Sequence, residues 1–205
     1  MENETKKDSA IIIGPVRLSW LNVFKPRMND LNNTMEYSAT LLIPKEPTTE
    51  CSDPAGVVAK VNAAILAVMT EKFGEPKGPR WPKNWKNPLG EDESGEYHVI
   101  KTKSGEDRPP MLINGKREKV SAEDGWKSGD WGTVKIWPFA FDQTVNKGAA
   151  FKLNAIQFLY VGDALGGTGR TSPDEFPEVA NASVPTKDDA PYNPHDDQDE
   201  DNPFA

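Results

Sequence analysis

The chain has 205 residues, 24 Lys+Arg against 32 Asp+Glu, and a net charge of -8, which by itself argues against a nucleic-acid partner. A lone cysteine, Cys51, excludes an intrachain disulfide, and His98 and His195 are too far apart in sequence to form a zinc-ligand motif. No apolar run approaches the roughly 20 residues that span a bilayer, and the polar N-terminus lacks a signal-peptide pattern, so the expectation is a soluble protein of a reducing compartment with no membrane partner.

The charge is unevenly spread. From Pro173 onward there are ten acids and one base, Lys187, a net of -9; the remaining 22 acids and 23 bases give residues 1–172 a net of +1. The nearly neutral body can hold a basic face opposite an acidic one. Its length suits one domain with a sizeable core.

Residues 1–9 read as a disordered lead. Ala10–Trp20 reads as a strand: Ile11, Ile12 and Ile13 are β-branched, and Val16, Leu18 and Trp20 alternate with Arg17 and Ser19. Phe24-Lys25-Pro26-Arg27 opens a polar loop through Asn33, and Glu36–Ile43 is a second strand closed by Pro44. Residues 53–73 carry the one main helix. Asp53 is placed to cap it, Pro54 to begin it and Gly74 to stop it, while Val58, Val61, Ile65, Val68 and Met69 recur at helical spacing. Pro76, Pro79, Pro82 and Pro88 exclude regular structure over the next segment. Tyr97–Lys103 and Met111–Ile113 are short strands, the latter followed by a turn at Asn114-Gly115. Trp131–Phe141 and Phe151–Val161 are two long closing strands. In the last, Phe151, Leu153, Ala155, Gln157, Leu159 and Val161 fall on one side, and Ile156, Phe158 and Tyr160 on the other. Five to seven strands and one helix suggest a small closed or partly open barrel.

Catalysis is not expected, and no cofactor is implied. There is no paired-His motif, and Gly162–Gly167 lacks the Lys and Ser/Thr that complete a phosphate loop. Glu91-Asp92-Glu93 is a loop carboxylate cluster that reads as solvated rather than as a metal site. Nucleic-acid binding, in contrast, needs cations along the backbone and aromatic faces for bases. Arg80, Trp81, Lys83, Trp85 and Lys86 supply both within seven residues; the competing reading packs both tryptophans on the core. Lys101, Lys103, Arg108, Lys116, Arg117 and Lys119 form a second concentration of charge, with Tyr97 and Val99 sharing the strand face of Lys101 and Lys103. Phe24, Lys25 and Arg27 are a third candidate. Alternation sends about half of the aromatic set Trp126, Trp131, Trp137, Phe139 and Phe141 into the core.

These residues resemble a family of phage-encoded single-stranded DNA-binding proteins of the Enc34-like kind. The matching pieces are Lys86-Asn87-Pro88-Leu89 with the acidic patch after it, Gly95-Glu96-Tyr97 and the strand to Lys103, Arg108-Pro109-Pro110, Ser128-Gly129-Asp130-Trp131, Lys147-Gly148, and the closing strand through Val161-Gly162-Asp163. The resemblance covers most of residues 11–167. It implies a mainly β domain over 10–170: an OB-fold-like, partly open five-stranded Greek-key barrel with extra strands and loops and the one main helix. It also implies coating of single-stranded DNA with little sequence preference, in phage replication or recombination in the cytoplasm of an infected bacterium. Duplex binding and homo-oligomer formation stay open.

Residues 171–205 read as a disordered acidic tail, self-repelling and almost without apolar side chains to bury. The run Asp199-Glu200-Asp201 ending near Pro203-Phe204 is similar to the Phe-tipped tails of bacterial and phage single-stranded DNA-binding proteins. This similarity implies recruitment of replication and recombination proteins through Asp199, Glu200, Asp201, Pro203 and Phe204, and competition with DNA. Ala205 follows Phe204, whereas such tails usually end on the aromatic residue. Two other classes compete: an acidic adaptor or DNA mimic that inhibits or recruits a host DNA-processing enzyme, which the +1 body disfavours, and a metal-dependent nuclease, at which only Glu91-Asp92-Glu93 hints.

Overall fold

The structure, a computed structural model, describes residues 9–30 and 33–165. The chain divides into two units, Met1–Gly167 and Thr168–Ala205, and the described residues all belong to the first. The expected tail, and the lead apart from Ser9, lie outside the described residues.

The elements run β1 (Ile11–Asn29), β2 (Thr34–Pro44), α1 (Pro54–Phe73), β3 (Leu89–Glu91), β4 (Tyr97–Gly105), β5 (Met111–Ile113), β6 (Trp131–Asp142) and β7 (Lys147–Tyr160). Antiparallel pairing joins β4 to β2, β2 to β1, β1 to β6 and β6 to β7. A parallel contact, Thr102 with Phe151 and Lys103 with Lys152, joins β4 to β7. The five-stranded barrel is therefore closed rather than partly open. The closing contact is short because β4 and β7 splay on either side of it, and other segments fill the gaps. On one side β5 pairs with β7 from Met111–Ala155 to Ile113–Gln157. On the other, β3 pairs with β4 while Lys86 bridges to Gly148 of β7.

Inward-facing Val16, Leu18, Leu41, Ile43, Ile100, Val134, Ile136, Phe151, Ile156 and Phe158 fill the barrel. α1 covers one end of it, packing across β6, β1, β7 and β2. Its start is set locally: Pro54 occupies the first turn, and the Asp53 carboxylate accepts from the Gly56 N–H at 2.9 Å. Val57, Val61, Ala64, Ile65, Met69 and Phe73 are buried at helical spacing. At 20 residues α1 is long and apolar enough to cross a bilayer, which corrects the expectation that no such run exists; its apolar stripe is spent on the barrel core.

Two strands depart from their expected form. The polar loop expected from Phe24 is strand: β1 outruns its pairing with β6 and continues against β2, Arg27 opposing Glu36 and Asn29 opposing Thr34. Pro26 is tolerated because it sits in the register shift between Asn22 and Arg27, where the ladder is interrupted. In β7 the expected alternation holds only to Ala155, after which Ile156 and Phe158 are buried and Gln157 is not. Lys135 opposes Ala155 but Ile136 opposes Leu153, so the extra residue Asn154 flips the faces.

Several residues that carried the family resemblance are joints of the barrel. Asp130 is fully buried; its carboxylate accepts from the Lys127 N–H at 2.8 Å and the Gly162 N–H at 3.0 Å, and its carbonyl accepts from the Leu18 N–H at 2.8 Å. It ties the start of β6 to the end of β7 and to β1. Beside it Gly129 has φ +111, and a Cβ there would run into the Asp163 carbonyl. Asp130→Asn replaces one acceptor with a donor and is expected to cost about 1–2 kcal/mol. Thermal denaturation reads this as a Tm lower by several degrees, and an unchanged Tm contradicts the joint.

Candidate nucleic-acid interface

Alternation along β4 points Ile100, Thr102 and Ser104 inward and leaves Lys101 and Lys103 exposed on the outer face, with Tyr97 and Val99 in the same phase. Register extends this face across neighbouring strands. Asn22 opposes Ser38, Ser38 opposes Lys103, Lys103 pairs with Lys152, and Lys152 opposes Trp137, so one outward row crosses β1, β2, β4, β7 and β6. A parallel row joins Ser19, Thr40 and Lys101. The Lys152 ammonium lies over the Phe139 ring, 5.4 Å from its centroid. Lys103 is ion-paired with Glu36 at 3.0 Å.

Trp20 stands on this face. The sequence pattern assigns it to the core phase with Val16 and Leu18, but it is 73% exposed. The cause is a left-handed backbone at Trp20, φ +47, within the β1–β2 register shift between Ser19 and Asn22. The shift moves the core phase on to Val23, with Leu21 packed against it, and turns the indole outward. Flanking bonds hold the bulge: Leu21 N–H donates to Ser128 Oγ at 3.2 Å, and the Asn22 amide donates to the Trp20 carbonyl at 3.3 Å. At the edge of the face, Arg17 donates to the Tyr97 hydroxyl at 3.3 Å, to the Asp163 carbonyl at 2.9 Å and to the Gly129 carbonyl at 3.3 Å. It positions the Tyr97 ring while anchoring the chain beyond β7.

The residues expected from sequence to bind DNA are thus partly brought together. Tyr97, Lys101 and Lys103 share the face. Arg27 joins it through β1 and bonds to Asn22 at 3.4 Å; Lys25 is exposed on the same strand. Phe24 instead packs inward, stacked on buried Phe158 at 6.2 Å, with Trp126 also stacked on Phe158 at 4.9 Å. Trp81 and Trp85 are half-buried against the core and meet edge to face at 6.3 Å, while Arg80, Lys83 and Lys86 are exposed along the strap that borders the β4–β7 seam. Lys116, Arg117 and Lys119 are exposed on a separate hairpin after β5, whose turn is built by Asn114 Oδ1 accepting from the Lys116 and Glu118 N–H groups at 2.8 and 3.0 Å. The partner-binding candidates Asp199, Glu200, Asp201, Pro203 and Phe204 lie outside the described residues.

Two carboxylates of the acidic loop have protein partners. Glu91 pairs with Lys45 at 3.1 Å. Asp92 builds the β3–β4 turn, and the Ser94 hydroxyl, then the Tyr97 N–H, hold its carboxyl below the usual range. Among the described residues no three His, Cys, Asp or Glu side chains gather as metal ligands.

Sequence reasoning missed Trp20, Arg17, Lys152 and Trp137 as members of this face. Their signal is in cross-strand register and in one left-handed residue, neither of which is local in sequence.

Known proteins share this architecture. The ssDNA-binding protein of bacteriophage Enc34, in complex with ssDNA, superposes with a TM-score of 0.62 at 20% identity, over 78% of this chain and 91% of that one. Gp2.5, a single-stranded DNA binding protein encoded by bacteriophage T7, gives a TM-score of 0.50 at 15% identity over 80% and 98% of the two chains. Protein p50 of Acyrthosiphon pisum secondary endosymbiont phage 1 is 27% identical over 183 residues, covering 84% of this chain and 95% of the relative. The family described as Enterobacter phage Enc34, ssDNA-binding protein, matches residues 9–188. With that match over most of its length, on a closed five-stranded barrel, the chain belongs to the Enc34 ssDNA-binding family.

Proposed function

We propose that the chain binds single-stranded DNA with little sequence preference along the outer face of β1, β2, β4, β7 and β6. It would protect and organise the strand during phage replication and recombination inside the infected host. The carrying observation is the row Asn22–Ser38–Lys103–Lys152–Trp137 with Trp20 exposed beside it. Phosphates pair with Lys101, Lys103, Lys152 and Arg27, and bases stack on Trp20, Trp137 and Tyr97. The strap cations Arg80, Lys83 and Lys86 and the hairpin cations Lys116, Arg117 and Lys119 give the strand further backbone contacts. Backbone pairing reads no sequence and does not exclude duplex, but stacking on aromatics favours unpaired bases. This is the work of a binding protein rather than an enzyme, in keeping with the family. We further propose that the acids from Pro173 onward compete with DNA for the basic face, and that Asp199, Glu200, Asp201, Pro203 and Phe204 recruit replication and recombination proteins.

The test is titration of a fluorescently labelled oligothymidine by anisotropy at increasing salt. Three phosphate contacts, at Lys101, Lys152 and Arg27, give a slope near -2.1 in log affinity against log salt, roughly a 100-fold loss between 50 and 500 mM, and each strap or hairpin contact steepens it by about 0.7. Removal of residues 173–205 is expected to tighten binding, most clearly at low salt where screening is weak. Salt-independent binding, or none at low salt, overturns the DNA reading. Equal affinity of the truncated and full chains at low salt overturns the competition.

A further inference from the structure

One residue pair away from the Ser38–Lys103 row, a carboxylate reaches back to a cation of this face. Glu36 lies on β2 opposite Arg27 of β1, and its side chain is only 18% exposed. One carboxylate oxygen, Oε2, is 3.0 Å from Lys103 Nζ; the other, Oε1, accepts from the Asn29 side-chain amide at 2.9 Å. An ammonium and an amide N–H are the donors that a backbone phosphate of a nucleic acid would take. Glu36 also stands between two open clefts, one lined by Asn22, Arg27, Asp30 and Ser38, the other by the more acidic set Gly105, Glu106 and Asp107. A strand that runs from Lys103 toward Arg27 meets the carboxylate on its way. The lysine of the pair is 57% exposed, so a ligand can reach it from solvent.

We infer that Glu36 is a built-in phosphate mimic: it occupies a phosphate position between Lys103 and Asn29, and DNA must displace it to engage Lys103. The inference rests on the proposed reading of this face as the DNA site. Its consequence is a weakened grip at one subsite. Lys103 contributes to binding only after the carboxylate leaves, so a bound strand is more easily released or passed on than the count of cations implies.

The experiment compares the full native chain, Glu36→Gln, Lys103→Gln and the double variant by oligothymidine anisotropy from 50 to 500 mM salt, with thermal denaturation of each. Glu36→Gln keeps the shape of the side chain and removes its charge. It is expected to tighten binding about five- to ten-fold at 50 mM and to steepen the salt slope by about 0.7, one further phosphate contact. Lys103→Gln is expected to weaken both proteins, the Glu36→Gln protein by several-fold more than the native one, and that non-additivity marks competition for one cation. If Glu36→Gln lowers Tm and leaves affinity and slope unchanged or weaker, Glu36 is only a hairpin fastener and the inference fails. If the native chain shows no salt-dependent binding, the reading of the face fails instead.

Discussion

Trp20→Ala is expected to weaken single-stranded DNA binding by about 1–3 kcal/mol, roughly 5–150-fold, while moving stability by less than about 0.5 kcal/mol. The asymmetry follows from where the indole sits. At 73% exposure it contributes little to the core, so its loss leaves no cavity. A left-handed backbone at a bulky residue costs on the order of 1–3 kcal/mol and persists only when its surroundings hold it. Here Ser128 and Asn22 hold it from either side. An exposed aromatic ring held by a strained backbone, across β2 from the β4 strand of Lys101 and Lys103, is placed to meet a base rather than to stabilise a fold. The check is anisotropy with oligothymidine alongside thermal denaturation. Intrinsic fluorescence adds a second readout, because the variant is expected to lose much of any DNA-induced tryptophan quenching. Native-like affinity in a folded Trp20→Ala protein removes Trp20 from the interface.

What the sequence made legible was what neighbours in sequence decide. α1 was readable because its cap, first-turn proline, apolar spacing and stop are all within a few residues of one another. The shared face of Tyr97, Lys101 and Lys103 was readable because strand alternation is local. The length of β1 was not, since residues 24–29 are extended only through pairing with β2 across a bulge that accommodates Pro26. Nor was the buried phase of Phe158, which depends on an unopposed residue at Asn154. The site fails the same way. Lys152 and Trp137 join the row only through register with Lys103, and Trp20 is outward because one φ angle is positive. The segment from Arg80 to Lys86 shows the converse: its cations and aromatics are plain in composition, but the direction of each side chain depends on the gap between β4 and β7.

That gap gives the second large effect, expected at Trp85. Lys86 N–H donates to the Lys147 carbonyl at 2.8 Å, and Ala149 N–H donates to the Lys86 carbonyl at 3.1 Å, so the strap is fastened to the start of β7. Approach is close enough that a Cβ on Gly148 would strike the Lys86 carbonyl. Fixed in this way, the strap turns Trp81 and Trp85 against the core, edge to face with each other at an interplanar angle of 81°. Trp85→Ala removes the aromatic pair and opens the seam beside it, so a stability loss of roughly 2–4 kcal/mol is expected, at the lower side of tryptophan truncation because the ring is only half-buried. For a domain of this size that lowers Tm by about 5–15 °C. DNA affinity per folded molecule, measured well below that Tm, is expected to change several-fold less than for Trp20→Ala. A Trp85→Ala protein that melts like the native chain but loses DNA binding selectively would return Trp85 to the stacking surface and make the strap itself part of the DNA path.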